Sequence, residues 1–233
     1  MPLERHFLDW HAPLTKKMRE FLLPESLAKP VDLGKELIIA PTRQAGRRLR
    51  EALALRCAEQ QTALLSPRVE IPTYFLRKTN EPANVANPTE IAAVWANVLM
   101  NADLDQLNGL FPAQAPEQSF TWAMHTGEMI QRLRDTLADG GYRIAEAYRD
   151  FSDILEEIDR WRDLAELETA YLDRLGELGR QDPIDLMIKQ AAKPELAEGI
   201  ERIVIAVVPD PTPLMIQALE HLAEQVPIVI LIH

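Results

Sequence analysis

Four arginines within eight residues, Arg43, Arg47, Arg48 and Arg50, follow the apolar run Leu37-Ile38-Ile39-Ala40 and the turn Pro41-Thr42. A guanidinium is always charged and presents paired N–H donors to carboxylate or phosphate, so such a cluster offers anion binding. The apolar run has the character of a buried strand. The stretch after the turn reads as a helix with Ala45, Leu49, Leu53 and Cys57 along one face, leaving the arginines on the other. In open α/β sheets, ligands bind beyond the carboxyl ends of the strands, where these arginines fall.

Residue sets for catalysis are missing from the sequence. A phosphate-cradling loop needs glycines for close backbone approach, with a Lys and a Ser/Thr for phosphate and Mg²⁺. The first glycine here is Gly34, no G-x-x-x-x-G-K-[ST] occurs, and the turn after the first strand candidate is Asp9-Trp10-His11-Ala12-Pro13. Thr15-Lys16-Lys17 lies nearby, but two lysines on a helix are common. His6, His11, His125, His221 and His233 lack metal-ligand spacing, and no H-E-x-x-H occurs. Ser119 and Ser152 read as caps or helix surface, and Glu156-Glu157 as a solvated face. Cys57 is the single cysteine, which excludes an internal disulfide or a cysteine-rich metal or iron–sulfur site within this chain. It reads as a buried thiol. No catalytic residue, cofactor or metal is therefore expected.

With 47% apolar and 26% charged residues, the chain has the composition of a globular protein rather than a disordered one. Its 233 residues are enough for one large domain or two small ones. No apolar run approaches the roughly 20 residues of a membrane helix. The first ten residues lack a signal-peptide core, so a cytoplasmic protein with no membrane partner is expected. The net charge of −11 is unevenly spread: +5 over residues 1–80, −12 over 81–197 and −4 over 198–233. A polyanion would meet the first segment and be repelled by the middle one, although acidic helix surfaces alone account for the pattern equally well.

The elements that must hold the arginines follow from periodicity. A strand is expected near residues 5–8, a helix over 14–23 ending before Pro24, and a connector over 24–34. The apolar strand and its helix run to about residue 61, followed by a strand at 68–71 and a turn at 72–77 entering a short helix. Asn87-Pro88-Thr89-Glu90 is a capped helix start. Helices are expected over 87–100, 119–138, 143–149, 153–178 and 182–194, with Gly140-Gly141 and Gly179 as stops. Strand character returns at 202–208 and 227–232, with a helix over 214–225 between them. The economical reading is an α/β fold. Residues 1–80 and 198–233 form one parallel sheet, and residues 85–194 form an all-helical inserted subdomain. The sequence stops at His233 directly after a strand, as expected of an excised fragment.

The order of these parts resembles superfamily 1 helicases. Residues 37–50 resemble their motif Ia, an apolar strand, a Thr-bearing turn and an "A-x-x-(M/L)-x-x-x-L" helix that contacts single-stranded DNA. Val69-Glu70-Ile71-Pro72-Thr73-Tyr74-Phe75-Leu76 looks like motif Ib, and the helical insertion sits where subdomain 1B would. Ile205-Ala206-Val207-Val208-Pro209-Asp210-Pro211-Thr212-Pro213 resembles motif II, normally "V-D-E-F-Q-D-T-N-P". Ala206 and Val207 then replace the Asp-Glu pair that holds Mg²⁺ and activates water. A helicase domain lacking both phosphate loop and acidic pair is similar to the N-terminal region of the B subunit of AddAB-type helicase–nucleases. Asp9-Trp10, Ala40-Pro41-Thr42-Arg43 with Gly46-Arg47-Arg48-Leu49, Trp161-Arg162-Asp163-Leu164-Ala165 and Gly179-Arg180-Gln181-Asp182-Pro183 are phrased in the same manner.

That resemblance implies a RecA-like topology and no ATP hydrolysis. It also implies a role in handling single-stranded DNA during double-strand-break repair. The implied partners are DNA and an AddA-like subunit or downstream domains, including a PD-(D/E)XK nuclease that nothing here matches. Thr42, Arg43, Arg47, Arg48, Thr73 and Tyr74 become the candidate DNA contacts: hydroxyls and guanidinium groups for phosphates, and a tyrosine face for stacking. Each also has a structural use. Thr42 can cap the helix, Tyr74 can be core, and the arginines can be a solvated face or dock a protein. A protein-interaction scaffold without DNA contact is the alternative expectation.

Overall fold

In the computed structural model, the described residues are 3–24, 26, 29–77, 82–113 and 115–233. Residues 1 and 80, the bounds of the expected first α/β segment, lie outside them, as do residues 25, 27 and 28 of the expected connector. In chain order the elements begin with β1 (Leu3–Phe7), α1 (Leu14–Leu22), β2 (Val31–Asp32), β3 (Glu36–Ile39), α2 (Arg43–Glu59), β4 (Leu64–Leu65) and β5 (Arg68–Glu70). A 3₁₀ turn, Pro72–Leu76, follows. Helices α3 (Pro88–Asn101), α4 (Phe120–Asp139), α5 (Ile144–Asp150), α6 (Ile158–Glu177) and α7 (Pro183–Ala192) come next, then β6 (Arg202–Ala206), α8 (Pro213–Ala223) and β7 (Ile228–Ile232). The fold is mixed α/β. The chain divides into two compact units, Met1–Arg77 with Gln190–His233, and Lys78–Lys189.

The first unit is built on a five-stranded sheet in the order β1-β7-β6-β3-β5. All four pairings are parallel. Leu37, Ile38 and Ile39 of β3 are fully buried, as a central strand covered on both faces demands. Alternation sends Ile38, Val204, Ala206, Val229 and Leu231 to one face, where they pack with Met18 and Leu22 of α1 and Leu49, Leu53 and Cys57 of α2. Helix α8 buries Leu214, Met215, Ala218 and Leu222 and lies against the Pro72–Leu76 turn. The two-residue strands β2 and β4 pair in parallel as a separate ribbon that no periodicity announces. β6 ends at Ala206, two residues before the expected end at 208. Val207 there adopts φ 52°, a left-handed conformation that strains a β-branched residue.

The helical unit forms its own core. The Asn87 start is a complete capping box: Asn87 Oδ1 accepts the Glu90 N–H at 3.0 Å, and Glu90 Oε2 accepts the Asn87 N–H at 2.9 Å. Helix α6 starts at Ile158 rather than the expected 153, because Glu157 takes φ 52° and breaks the helical run. Asp163 on its second turn accepts the Gly109 and Leu110 N–H groups at 2.7 and 3.2 Å. Gly109 has no room for a side chain, since a Cβ would lie 2.4 Å from the Asp159 backbone. Arg134 of α4 is 1% exposed and is held by Glu168 at 2.7 Å and Asp182 at 3.2 Å. Tyr171 donates to the same Asp182 at 3.1 Å and stacks on Trp95 at 4.3 Å. Burial opposes the charge on Arg134, but the two carboxylates outweigh it and push its pKa up. Burial and then Asp182 raise that of Tyr171. Among the described residues, no helix is long and apolar enough to cross a membrane.

Candidate functional site

Because the sheet is parallel throughout, the loops after β1, β6, β3 and β5 all emerge at one edge. The turn after β3 leads into α2, which carries the arginine cluster. Ala40 donates its N–H to Glu70 O at 2.9 Å, which ties β3 to β5 up to their ends. The chain turns at Pro41, and Thr42 caps α2 by accepting the Ala45 N–H on Oγ1 at 3.0 Å. The cap leaves the Thr42 hydroxyl hydrogen free to donate outward. The N–H groups of Arg43 and Gln44 have no intrahelical acceptor, and the positive end of the helix dipole points the same way.

Beside this turn lies a depression of about 250 Å³ lined by Thr42, Arg43, Gly46, Arg50, Val69, Glu70 and Ile71. Arg43 and Arg50 are seven residues apart, about two helical turns, so they lie on one stripe. Gly46 forms the floor between them. A Cβ there would stand 2.7 Å from Val69 Cγ1, so α2 approaches β5 as closely as glycine allows. The buried face of α2 is accordingly Gly46, Leu49, Leu53 and Cys57, with Ala45, expected on that face, only half-buried. Glu70 also lines the depression, but its Oε1 lies 3.3 Å from Arg68 Nε. Arg43 and Arg50 are exposed, and among the described residues neither has a carboxylate within ion-pair distance.

The other candidate contacts are dispersed. Arg47 points out from the same stripe but pairs with Glu51 at 2.9 Å, both side chains largely exposed. Arg48 sits about 140° around the helix from Arg43. It lines a different cleft of about 120 Å³, with Leu14, Thr15, Met18, Pro41, Ala45, Leu49 and Ala206. Thr73 is exposed on the 3₁₀ turn. Tyr74 is half-buried, with its edge against Phe75 at 5.4 Å and the Arg68 guanidinium 4.9 Å from its ring centre, so one stacking face is already taken. The depression thus gathers Thr42 and Arg43 of the six expected contacts. It adds Arg50, a member of the arginine cluster that the motif resemblance leaves out of the contacts and that its seven-residue spacing places on the stripe of Arg43.

At the other end of the edge, the β1–α1 loop is folded on itself. Asp9 accepts the His11 N–H at 3.0 Å and the Lys17 ammonium at 2.8 Å. Lys17 and the His11 N–H hold the Asp9 carboxyl below its usual range, and Asp9 holds Lys17 above its own. At the end of β6, Ala206 is buried and Val207 donates its N–H to Ile205 O and Leu231 O, both at 3.2 Å. No carboxylate stands at either position. Among the described residues, no three of His, Cys, Asp or Glu come together as a metal site. The Cys57 thiol is buried, which pushes its pKa up and makes it unreactive. No family model matches the chain, and no curated protein matches it.

Proposed function

We propose that this chain is a non-enzymatic, helicase-like module that grips single-stranded DNA at the turn between β3 and α2. The observation that carries the reading is the pairing of Arg43 and Arg50 across Gly46, beside the open end of α2. Two guanidinium groups with no acidic partner among the described residues and a threonine hydroxyl border a space, beside the helix N-terminus, that a phosphate would fill. The excess of cations in residues 1–80 favours the same ligand.

A RecA-like topology, and a place in a break-repair helicase–nuclease beside an AddA-like subunit or downstream domains, belong to this proposal. Three features support them: a sheet that is parallel throughout, a helical unit inserted between β5 and β6, and motif-like segments at one sheet edge. On this reading the ATP machinery is gone. The loop that would hold phosphates supplies Asp9, which pairs with Lys17 of α1, and Ala206-Val207 stand where the acidic pair would be.

Titration of a fluorescent thymidine oligomer at low salt tests the reading. Binding that weakens in Arg43→Glu and Arg50→Glu is expected, together with no heat on titrating ATP. Failure to bind the oligomer, with the same variants losing a protein partner instead, would make the surface a scaffold. Measurable ATP binding would contradict the loss of the nucleotide site.

A further inference from the structure

We infer that Trp10 is a stacking platform for an unpaired base of the same single strand whose phosphates lie at Arg43 and Arg50; the inference rests on the function proposed above. Trp10 is 75% exposed, unusual for the largest apolar side chain. A single exposed aromatic means little by itself. This one is held in place. Its neighbour Asp9 is fastened to Lys17 at 2.8 Å and to the His11 N–H at 3.0 Å, and Leu8 donates to Ile232 O at 2.7 Å. The indole ring lies 4.1 Å from the His233 ring, which supports one side and leaves the rest of the ring open to solvent. An exposed indole with one ring contact and a fastened backbone suits base stacking, because less freedom remains to be lost on binding.

Position supplies the ligand. Trp10 follows β1, and Arg43 follows β3, at the same edge of a parallel sheet and three strands apart in the order β1-β7-β6-β3. At about 4.8 Å per strand, that separation is about 14 Å. A single strand covers that separation in a few nucleotides. Guanidinium groups at one end and an aromatic platform at the other are components of a sequence-tolerant single-strand path.

Trp10 is also its own reporter. Of the other tryptophans, Trp95 is buried in the helical unit's core and Trp122 and Trp161 pack half-buried against it, so Trp10 is the highly exposed one. Intrinsic fluorescence and anisotropy are followed on the whole chain with a thymidine oligomer, an abasic oligomer of equal length, and thymidine monophosphate. The thymidine oligomer is expected to quench emission, and Trp10→Ala to weaken its binding roughly tenfold, within the range for one stacked base. Trp10→Phe should recover part of that loss, and the abasic oligomer should not discriminate between wild type and Trp10→Ala. Equal affinity of wild type and Trp10→Ala for the thymidine oligomer would overturn the inference while leaving the Arg43–Arg50 reading intact. Equal quenching by the monophosphate would replace the strand with a mononucleotide. No binding by any oligomer would overturn both readings.

Discussion

Arg47 and Arg50 are three residues apart on the same helix, yet their surroundings separate them. Arg47 spends its guanidinium on Glu51, an exposed i,i+4 pair worth only a few tenths of a kcal/mol. Arg50 borders the depression beside Gly46 with no acidic partner among the described residues. Arg47→Ala should therefore change stability by less than about 0.5 kcal/mol and barely alter oligomer affinity. Arg50→Glu should weaken binding at least as much as Arg43→Glu. Equal losses for Arg47→Ala and Arg50→Ala in anisotropy titrations would show that the depression does not organise binding. At this scale, part of the candidate site could be read from the chain. The cluster of arginines and the cap at Thr42 are visible in residue types, since a threonine before a helix is a frequent cap. Which arginine pairs with which neighbour depends on Glu51, Glu70 and Val69, and motif matching does not register those environments. Tyr74 illustrates the same limit: an aromatic in a turn announces a stacking face, but not the Arg68 guanidinium already over it.

Helix α2 keeps its place through Gly46, whose missing side chain lets the helix settle against Val69. Gly46→Ala should displace α2 from β5 at a cost of about 1–3 kcal/mol. Trimming the opposing side chain in Gly46→Ala/Val69→Ala should recover part of the midpoint in urea; additive losses would place the strain elsewhere. In the helical unit, Arg134 joins α4 to α6 and to the start of α7 through Glu168 and Asp182. Arg134→Met would leave two buried carboxylates without their cation, a loss of about 3–5 kcal/mol. A change below 1 kcal/mol in denaturant unfolding would mean the site is wetter than its burial indicates. Asp185 adds a pH signature. Burial raises its carboxyl above the ordinary 3.8, against the pull of Arg143. The folded chain therefore holds that proton to higher pH than the unfolded chain, and the group makes stability fall as pH rises just above 3.8. Asp185→Asn should flatten that part of the stability–pH curve just above 3.8, and an unchanged slope there would contradict the assignment. Elements with strong local signals match their expected positions closely. The α3 start at Asn87 and the α4 cap at Ser119 both form hydrogen-bonded caps. The misses have tertiary causes. β2 and β4 are too short for periodicity, the start of α6 is displaced by the left-handed Glu157, and β6 is cut short where Val207 turns.

For the molecule as a whole, the α/β class and the parallel sheet follow from alternating apolar runs and helical patterns, whereas strand order depends on contacts distant in sequence. β1 pairs with β7, at the opposite end of the chain, and no local pattern specifies that partnership. The net charge of −11 would by itself argue against a nucleic-acid ligand. The excess of cations in residues 1–80 and the two arginines on α2 with no acidic partner among the described residues argue for one, so binding should be weak, local and strongly salt-dependent. The salt dependence of oligomer affinity separates these expectations most directly. For wild type, log affinity for a thymidine oligomer should fall linearly with log salt. For Arg43→Glu/Arg50→Glu the slope should be shallower by at least about 1.4, the share of two phosphate contacts on a single strand. Identical slopes, or no binding by wild type at low salt, would contradict a DNA-gripping turn at the end of β3.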